Sequence, residues 1–310
     1  MSTKAIDCHV HLYPPEVNRD PAKWAAAERE QHWAALCTRR RRDGRPVQSF
    51  PELGELLRAM DEAGVERAVL LGWYWQNSAN CARQNRFYAE CVKSHPDRLA
   101  AFAALQPAAG EDEVCGETER ARDQGLIGLG ELSPASQGYR ADHPGFRAAL
   151  ARAAQWGWPV NLHVTDPRGK PYPGRVETPL EEFLALADAF PETTFILSHW
   201  GGLLPLRLPA AAARPNIYYD TAASPLLYGT DVWTEFTGAT GFDRVLFGSD
   251  HPLNLYPKDE CGPSLARFVG EAGRHLPEAA RAAVLRGNAE RILALPVDFQ
   301  DCQDRKNLAG

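Results

Sequence analysis

The chain has 310 residues, of which 44% are hydrophobic and 24% charged, and its formal net charge is −6. This composition is typical of a globular protein, and no apolar run approaches the roughly 18 residues that a membrane span requires. The acidic balance argues against nucleic-acid binding, and the odd, scattered set of seven cysteines argues against a disulfide framework. No signal peptide is evident either, so we expect a cytoplasmic protein.

Short β-rich apolar runs alternate with helical patterns along the chain, which predicts parallel strands joined by crossover helices. Eight such runs are found: Ala5–Val10, Arg67–Leu71, Leu99–Leu105, Ile127–Leu132, Val160–Val164, Thr194–Ser198, Ile217–Asp220 and Arg244–Phe247. This number predicts a single-domain (β/α)8 TIM barrel over residues 1–297 with a polar tail at 298–310. A doubly wound sheet would show similar alternation.

The connection between the first two strands is unusually long, covering about residues 12–52. It contains a predicted helical segment at Ala22–Leu36 and the arginine run Arg39–Arg42. A connection of this length in a compact domain is usually functional or disordered. The arginine run fits a solvated loop, or a carboxylate-binding loop if it folds over the mouth of the barrel.

Two histidines stand two residues apart in the first predicted strand, at His9 and His11, preceded by Asp7. Side chains two positions apart share one face of a strand, so these groups can converge on one metal ion. Two polar residues on a half-exposed strand would give the same pattern.

Further polar residues fall at the carboxyl ends of later predicted strands. In a barrel these ends meet at one rim, where catalytic groups collect. The set consists of His9, His11, Glu131, His163, His199 and Asp250. Imidazoles with carboxylates predict a divalent metal, zinc first, with manganese or iron as alternatives.

The sequence resembles the amidohydrolase superfamily of metal-dependent barrel enzymes. The matching motifs are D-x-H-x-H at Asp7–His11, His163 closing the fifth strand, S-H-W-G-G at Ser198–Gly202, G-S-D-H-P at Gly248–Pro252, and the final G-N-A-E-R-I-L at Gly287–Leu293. These motifs span almost the whole chain. The most similar branch contains aminocarboxymuconate-semialdehyde decarboxylase and related hydrolases.

This resemblance implies that His9, His11, His163 and Asp250 hold the metal, while His199 joins them or orients the substrate. It also implies that Asp250 takes a proton from a metal-activated water. Glu131 departs from the branch, which commonly has a lysine at this place. A carboxylate there resembles the metal-bridging glutamate of TatD-type nucleases, so we expect Glu131 as a ligand and one or two ions.

The resemblance implies, first, a metal-dependent hydrolase of an amide, ester or lactone. The alternative is a metal-dependent non-oxidative decarboxylase of an unsaturated or aromatic carboxylic acid, and a non-catalytic barrel ranks third. The expected partner is a small molecule, bound by Trp73, Trp75 and Trp200 with Arg168 at an anionic end. The three consecutive aromatics at 73–75 fit an aromatic core equally well. The sequence leaves open whether the chain forms a homodimer.

Overall fold

The computed structural model describes residues 4–224, 227–254, 262–293 and 295. It contains eight short strands, each close to a predicted run: β1 Ala5–Val10, β2 Val65–Leu70, β3 Leu99–Ala101, β4 Leu129–Leu132, β5 Val160–Leu162, β6 Phe195–Leu197, β7 Ile217–Asp220 and β8 Val245–Leu246. All neighbouring strands pair in parallel, in a sheet of order β1-β2-β3 and a second sheet of order β4-β5-β6-β7-β8. The predicted α/β class with parallel strands is therefore confirmed.

Backbone hydrogen bonds link the two sheets at both pairs of edges. Beyond the end of β3, Ala103 donates to the Gly128 carbonyl at 2.8 Å, and the Gly130 amide donates back to Ala103 at 2.9 Å. On the other side, the Cys8 amide in β1 donates to the Phe247 carbonyl just after β8, at 2.8 Å. The predicted third strand, Leu99–Leu105, is thus too long, because regular pairing ends at Ala101 and continues as a single bridge at Ala103.

Helices follow most strands in the alternation that the sequence predicts. They are α1 Pro15–Arg19, α2 Pro21–Glu28, α3 Gln31–Cys37, α4 Leu53–Ala63, α5 Ser78–Ser94, α6 Glu111–Asp123, α7 Pro134–Gln137, α8 Pro144–Trp156, α9 Glu181–Ala189, α10 Leu204–Arg207, α11 Val232–Thr240, α12 Leu265–His275, α13 Glu278–Ala282 and α14 Asn288–Ile292. Within the described ranges, no helix is long and apolar enough to cross a membrane. The predicted tail at 298–310 lies outside the described residues.

The strands are buried on both faces, as parallel strands covered by helices must be. One face of each strand packs in a large apolar cluster with helix residues such as Leu56, Tyr88 and Phe146. The other faces of β1, β2, β3, β6 and β8 contribute to a smaller apolar cluster that includes Ile6 and Phe102, together with Leu293 after α14. The amino-terminal part of β1 is therefore anchored in an apolar interior, and polar side chains accumulate beyond it.

The long connection between β1 and β2 is folded, with α1 to α3 packed on the aromatic residues that follow β2. The predicted single helix at Ala22–Leu36 is wrong in one respect, because the chain breaks at Arg29, whose φ of 61° ends α2. The next residue, Glu30, is fully buried. Its carboxylate accepts hydrogen bonds from the Gln76 and Asn77 amides and from the Asn80 side chain, at 2.8–3.0 Å. Glu30 therefore fastens the connection to the start of α5.

We expect Glu30→Ala to lower the free energy of unfolding by about 1–3 kcal/mol, because the donors at Gln76, Asn77 and Asn80 lose their acceptor. Urea denaturation measures this. The matched control is Glu28→Ala, which removes a half-exposed ion pair with Arg83 at 3.4 Å and costs below about 1 kcal/mol. Equal losses in the two variants would contradict the role given to Glu30.

Candidate metal centre and substrate cavity

The structure brings all six predicted rim residues together. Their ligand atoms form three overlapping groups, each within 4.8 Å: His9, His199 and Asp250; His9, His11 and Glu131; and Glu131, His163 and His199. The Nε2 atoms of His9 and His11 lie 3.1 Å apart, and each is 3.6 Å from Asp250 Oδ1. Side chains from five strand ends thus point at one small volume.

The hydrogen bonds behind three of these imidazoles orient them toward that volume. Nδ1 of His11 donates to the Leu71 carbonyl at 3.1 Å, and Nδ1 of His199 donates to the Ala222 carbonyl at 3.2 Å. His9 Nδ1 lies 2.9 Å from Asp220 Oδ2. Because a carbonyl can only accept, His11 and His199 carry their proton on Nδ1 and present a lone pair at Nε2. This arrangement is typical of histidines that bind a metal ion.

The electrostatics of the centre favour a cation at the same point. Burial lowers the pKa of His11 to about 3 and that of His199 to about 4, which keeps both imidazoles in the neutral form that binds metals. His9 differs: although burial opposes its charge, the carboxylates of Asp220, Glu131 and Asp250 raise its pKa to about 10. The same carboxylates would attract a divalent ion, and the lone pairs of the neutral His11 and His199 could bind it.

Glu131 faces two different sets of histidines. Its Oε1 lies 2.9 Å from His163 Nδ1 and 3.8 Å from His199 Nε2, while its Oε2 lies 3.8 Å from His11 Nε2. The side chain is buried, and despite that burial the histidines around it hold its pKa well below the usual range. A carboxylate shared in this way has the geometry to serve one ion or to bridge two.

Asp250 is the most accessible of the carboxylates, with 14% of its side chain exposed. Its φ of 64° is unusual for a residue other than glycine and turns the chain at the end of the last strand. Burial, strengthened by the nearby charge of Glu131, raises its pKa to about 7. Asp250 therefore combines access to the cavity with a weakly acidic carboxyl group.

Asp7 does not join the histidines, although it was expected to share their face. The pairing of β1 with β2 shifts register between Asp7 and Val10, so strict alternation is lost. The Asp7 carboxylate instead accepts hydrogen bonds from the His9 and Ser249 amides, at 3.1 and 3.0 Å. It ties the first strand to the last one.

His199 sits in an unusual backbone segment. The five residues from His199 to Leu203 all have φ between 55° and 60°, which makes a left-handed turn. This conformation costs roughly 1–2 kcal/mol for each residue with a side chain, and Gly201 and Gly202 avoid that cost. Trp200 is fully buried within the turn and packs edge-on against Trp233 and Phe236, with ring centres 4.9 and 5.0 Å away.

A cavity of about 670 Å³ opens above the centre. His11, Glu131, His163, His199 and Asp250 lie in its wall, as do the predicted substrate-binding residues Trp73 and Arg168. Trp73 stacks on Tyr74 with ring centres 4.4 Å apart, and Tyr74 also lines the cavity. The wall is therefore aromatic on one side, with metal-binding groups at the base.

Two predicted substrate-binding residues lie elsewhere. Trp75 is 1% exposed and belongs to the aromatic cluster under the long connection, where its Nε1 donates to Gln84 at 2.6 Å. Trp200 anchors the left-handed turn described above. Neither is part of the cavity wall within the described residues. Position at a strand end in the sequence does not reveal whether a ring will face the cavity or pack beneath it.

Asp220 also contributes to the centre, although it is not one of the six predicted rim residues. It is fully buried at the end of β7. Its Oδ2 contacts His9 Nδ1 and accepts from Asn161, while its Oδ1 accepts from the amides of His199 and Ala222. The only signal in the sequence was its position at a strand end, which does not reveal its contact with His9.

We expect Asp220→Asn to weaken binding of Mn²⁺ or Zn²⁺ about 10–100-fold, because an amide nitrogen in this place cannot accept the His9 proton and no longer orients the ring. Metal titration followed by calorimetry measures the affinity. Asp188→Asn, which removes only an exposed ion pair with Arg214, should leave it unchanged. An unchanged affinity in Asp220→Asn would show that Asp220 supports folding alone.

Comparison with known proteins agrees with this geometry. A family model described as amidohydrolase matches residues 6–295, whereas no curated protein matches. Among solved structures, 2,6-dihydroxybenzoate decarboxylase from Rhizobium is 20% identical with a TM-score of 0.65, covering 94% of this chain and 98% of that one. The 5-carboxyvanillate decarboxylase from Sphingomonas paucimobilis is 18% identical with a TM-score of 0.68, covering 95% and 100%.

A 5-carboxyvanillate decarboxylase from Novosphingobium aromaticivorans, complexed with manganese and 4-hydroxy-3-methoxy-5-nitrobenzoic acid, is 16% identical with a TM-score of 0.70, covering 94% and 96%. At these identities the structural likeness shows a shared fold. Together with the family match over nearly the whole length, it places the chain in a known group: the protein belongs to the amidohydrolase family.

Proposed function

We propose that this protein is a divalent-metal-dependent decarboxylase of an aromatic or unsaturated carboxylic acid, built on a closed (β/α)8 barrel. Closure is supported by the backbone hydrogen bonds that link β3 to β4 and β8 to β1. The main observation behind the proposed activity is the convergence of His9, His11, His163, Glu131 and Asp250 at the base of a cavity with an aromatic wall. The stacked Trp73 and Tyr74 rings suit a flat substrate.

The residues act as metal ligands or on the substrate, and Asp250 is assigned both roles. His9, His11, His163, Glu131 and Asp250 would hold the ion, and His199 would join them or position the substrate. A divalent cation bound there would neutralise and hold the substrate carboxylate. Imidazole and carboxylate donors suit manganese as well as zinc, so the expectation of zinc first is widened to either metal. Manganese is the ion in three of the similar decarboxylase structures.

In the proposed reaction the bond between the carboxylate carbon and the substrate breaks, carbon dioxide leaves, and a proton takes its place. Asp250 is the group that we assign to proton delivery, because its carboxyl lies at the base of the cavity and is partly open to it. The Asp250 amide donates to the His9 carbonyl at 3.0 Å, which holds the residue beside the metal-binding histidines.

The sequence favoured a hydrolase first and a decarboxylase second, and the function proposed here is the second of these. Several of the similar solved structures are decarboxylases, which favours the second of those interpretations. A hydrolase remains the second candidate because of one observation: Glu131 lies between two histidine groups, as a carboxylate bridging two ions would. Such a pair of ions suits activation of water. A small-molecule substrate, a cytoplasmic location and a homodimer stay predictions.

A direct assay separates the two candidates. The protein loaded with Mn²⁺ or Zn²⁺ is incubated with hydroxylated benzoic acids and dienoic acids, and in parallel with a panel of esters, lactones and amides. We expect metal-dependent release of carbon dioxide that is lost with a chelator, and at least about a hundredfold lower kcat in Asp250→Asn, since proton delivery typically contributes this much. Hydrolysis without any release of carbon dioxide would contradict the proposal.

Metal stoichiometry tests the role of Glu131. We expect elemental analysis to find one ion per chain in the wild type, and Glu131→Ala to lower both the bound metal and the release of carbon dioxide, because Glu131 is one of the proposed ligands of that ion. Two ions per chain, falling to one in Glu131→Ala, would instead support the bridging arrangement and the hydrolase. Circular dichroism checks that the variant is folded.

A further inference from the structure

The mouth of the cavity carries an excess of positive charge. Apart from the metal-binding groups, the charged side chains in its described wall are Arg39, Arg168, Lys170, Arg207 and Asp166. Arg207 is paired with Asp166 at 2.5 Å. Within the described part of the chain, the other three cations have no carboxylate partner. The positive charge is a local feature, since the formal net charge of the whole chain is −6.

These three cations reach the mouth from two separate segments that are held against each other. Arg39 follows α3 in the connection after β1, whereas Arg168 and Lys170 lie in the loop between β5 and α9. His32 in α3 donates from Nε2 to the Gly174 carbonyl of that loop at 2.8 Å. The Arg39 guanidinium lies over the Tyr172 ring, 5.8 Å from its centre. The cations therefore share one entrance.

Arg39 is the member of its arginine run that lies in the described cavity wall. Arg40 donates to the Gly44 carbonyl, and Arg41 lies 3.4 Å from Asp43. Arg39 has only the Tyr172 ring as a partner, and its buried Nε has no acceptor within the described residues. A guanidinium with unused donors, set among like charges, is suited to bind a carboxylate.

The aromatic wall connects this mouth to the metal centre. The Tyr74 ring lies 5.0 Å from the ring of His163 at the centre and 5.8 Å from the ring of His32 at the mouth. Tyr74, both of these histidines and Arg39 line the same cavity. A flat molecule in this cavity would therefore extend from the metal-binding groups toward Arg39.

We propose that Arg39, with Arg168 and Lys170, forms a second anion subsite, and that the substrate is an aromatic or dienoic dicarboxylic acid. One carboxylate binds at the metal centre, a step that rests on the proposed function, and the other binds at the mouth. The second carboxylate would be the counter-charge for these three cations, which have no carboxylate partner within the described residues.

Binding of matched acids to the manganese-loaded protein tests this subsite without relying on turnover. Isothermal calorimetry compares benzoate with isophthalate and terephthalate, and sorbate with trans,trans-muconate, so that the two series distinguish a ring spacer from a diene spacer. We expect at least one dicarboxylate to bind about tenfold or more tightly than its matched monoacid, in line with a hydrogen-bonded charge pair. Arg39→Gln should remove this advantage and leave the monoacid affinity unchanged.

Arg42→Gln is the matched control, because Arg42 belongs to the same run, is exposed and lies outside the described cavity wall. It should leave both affinities unchanged. Equal binding of monoacids and dicarboxylates would overturn the subsite while leaving the proposed function intact, as would an equal loss in Arg42→Gln. If no monoacid binds the metal-loaded protein, the proposed function fails first and the subsite with it.

Discussion

The buried carboxylate of Asp220 is the interaction on which the candidate centre depends. It sits at the end of β7 and contacts His9 from β1, Asn161 from β5 and the backbone of His199 after β6. A fully buried charge is costly unless every lone pair is satisfied, and here four groups share its two oxygens. The same bonds that stabilise the carboxylate also aim the His9 ring, so stability and site geometry have one origin.

The left-handed turn from His199 to Leu203 shows how the fold supports an unfavourable backbone at the site. Three of its residues carry side chains and would adopt this conformation at a cost. The His199 amide is held by Asp220, and the Trp200 ring is locked between Trp233 and Phe236. Backbone strain at a functional position is thus offset by buried aromatic packing and by a charged hydrogen bond.

The connection between β1 and β2 shapes the mouth of the cavity rather than the metal centre. Its helices cover the aromatic residues after β2, and Glu30 fastens them to the start of α5. The connection then delivers His32 and Arg39 to the cavity, where they meet the loop after β5. The base of the cavity is therefore built from strand ends, which suits a constant metal chemistry, while the mouth is built from irregular segments that can determine the substrate.

The sequence by itself determined the number of strands, the parallel α/β class and the six residues that meet at the centre. It could do so because hydrophobic periodicity is local, and because parallel strands bring their carboxyl ends to one rim whatever the loops do. Only the tertiary structure decided that Trp75 and Trp200 are buried as supports, that Asp7 binds backbone amides, and that Asp220 orients His9. These assignments depend on a register shift, a left-handed turn and contacts between residues far apart in the chain, which a pattern of neighbouring residues does not encode.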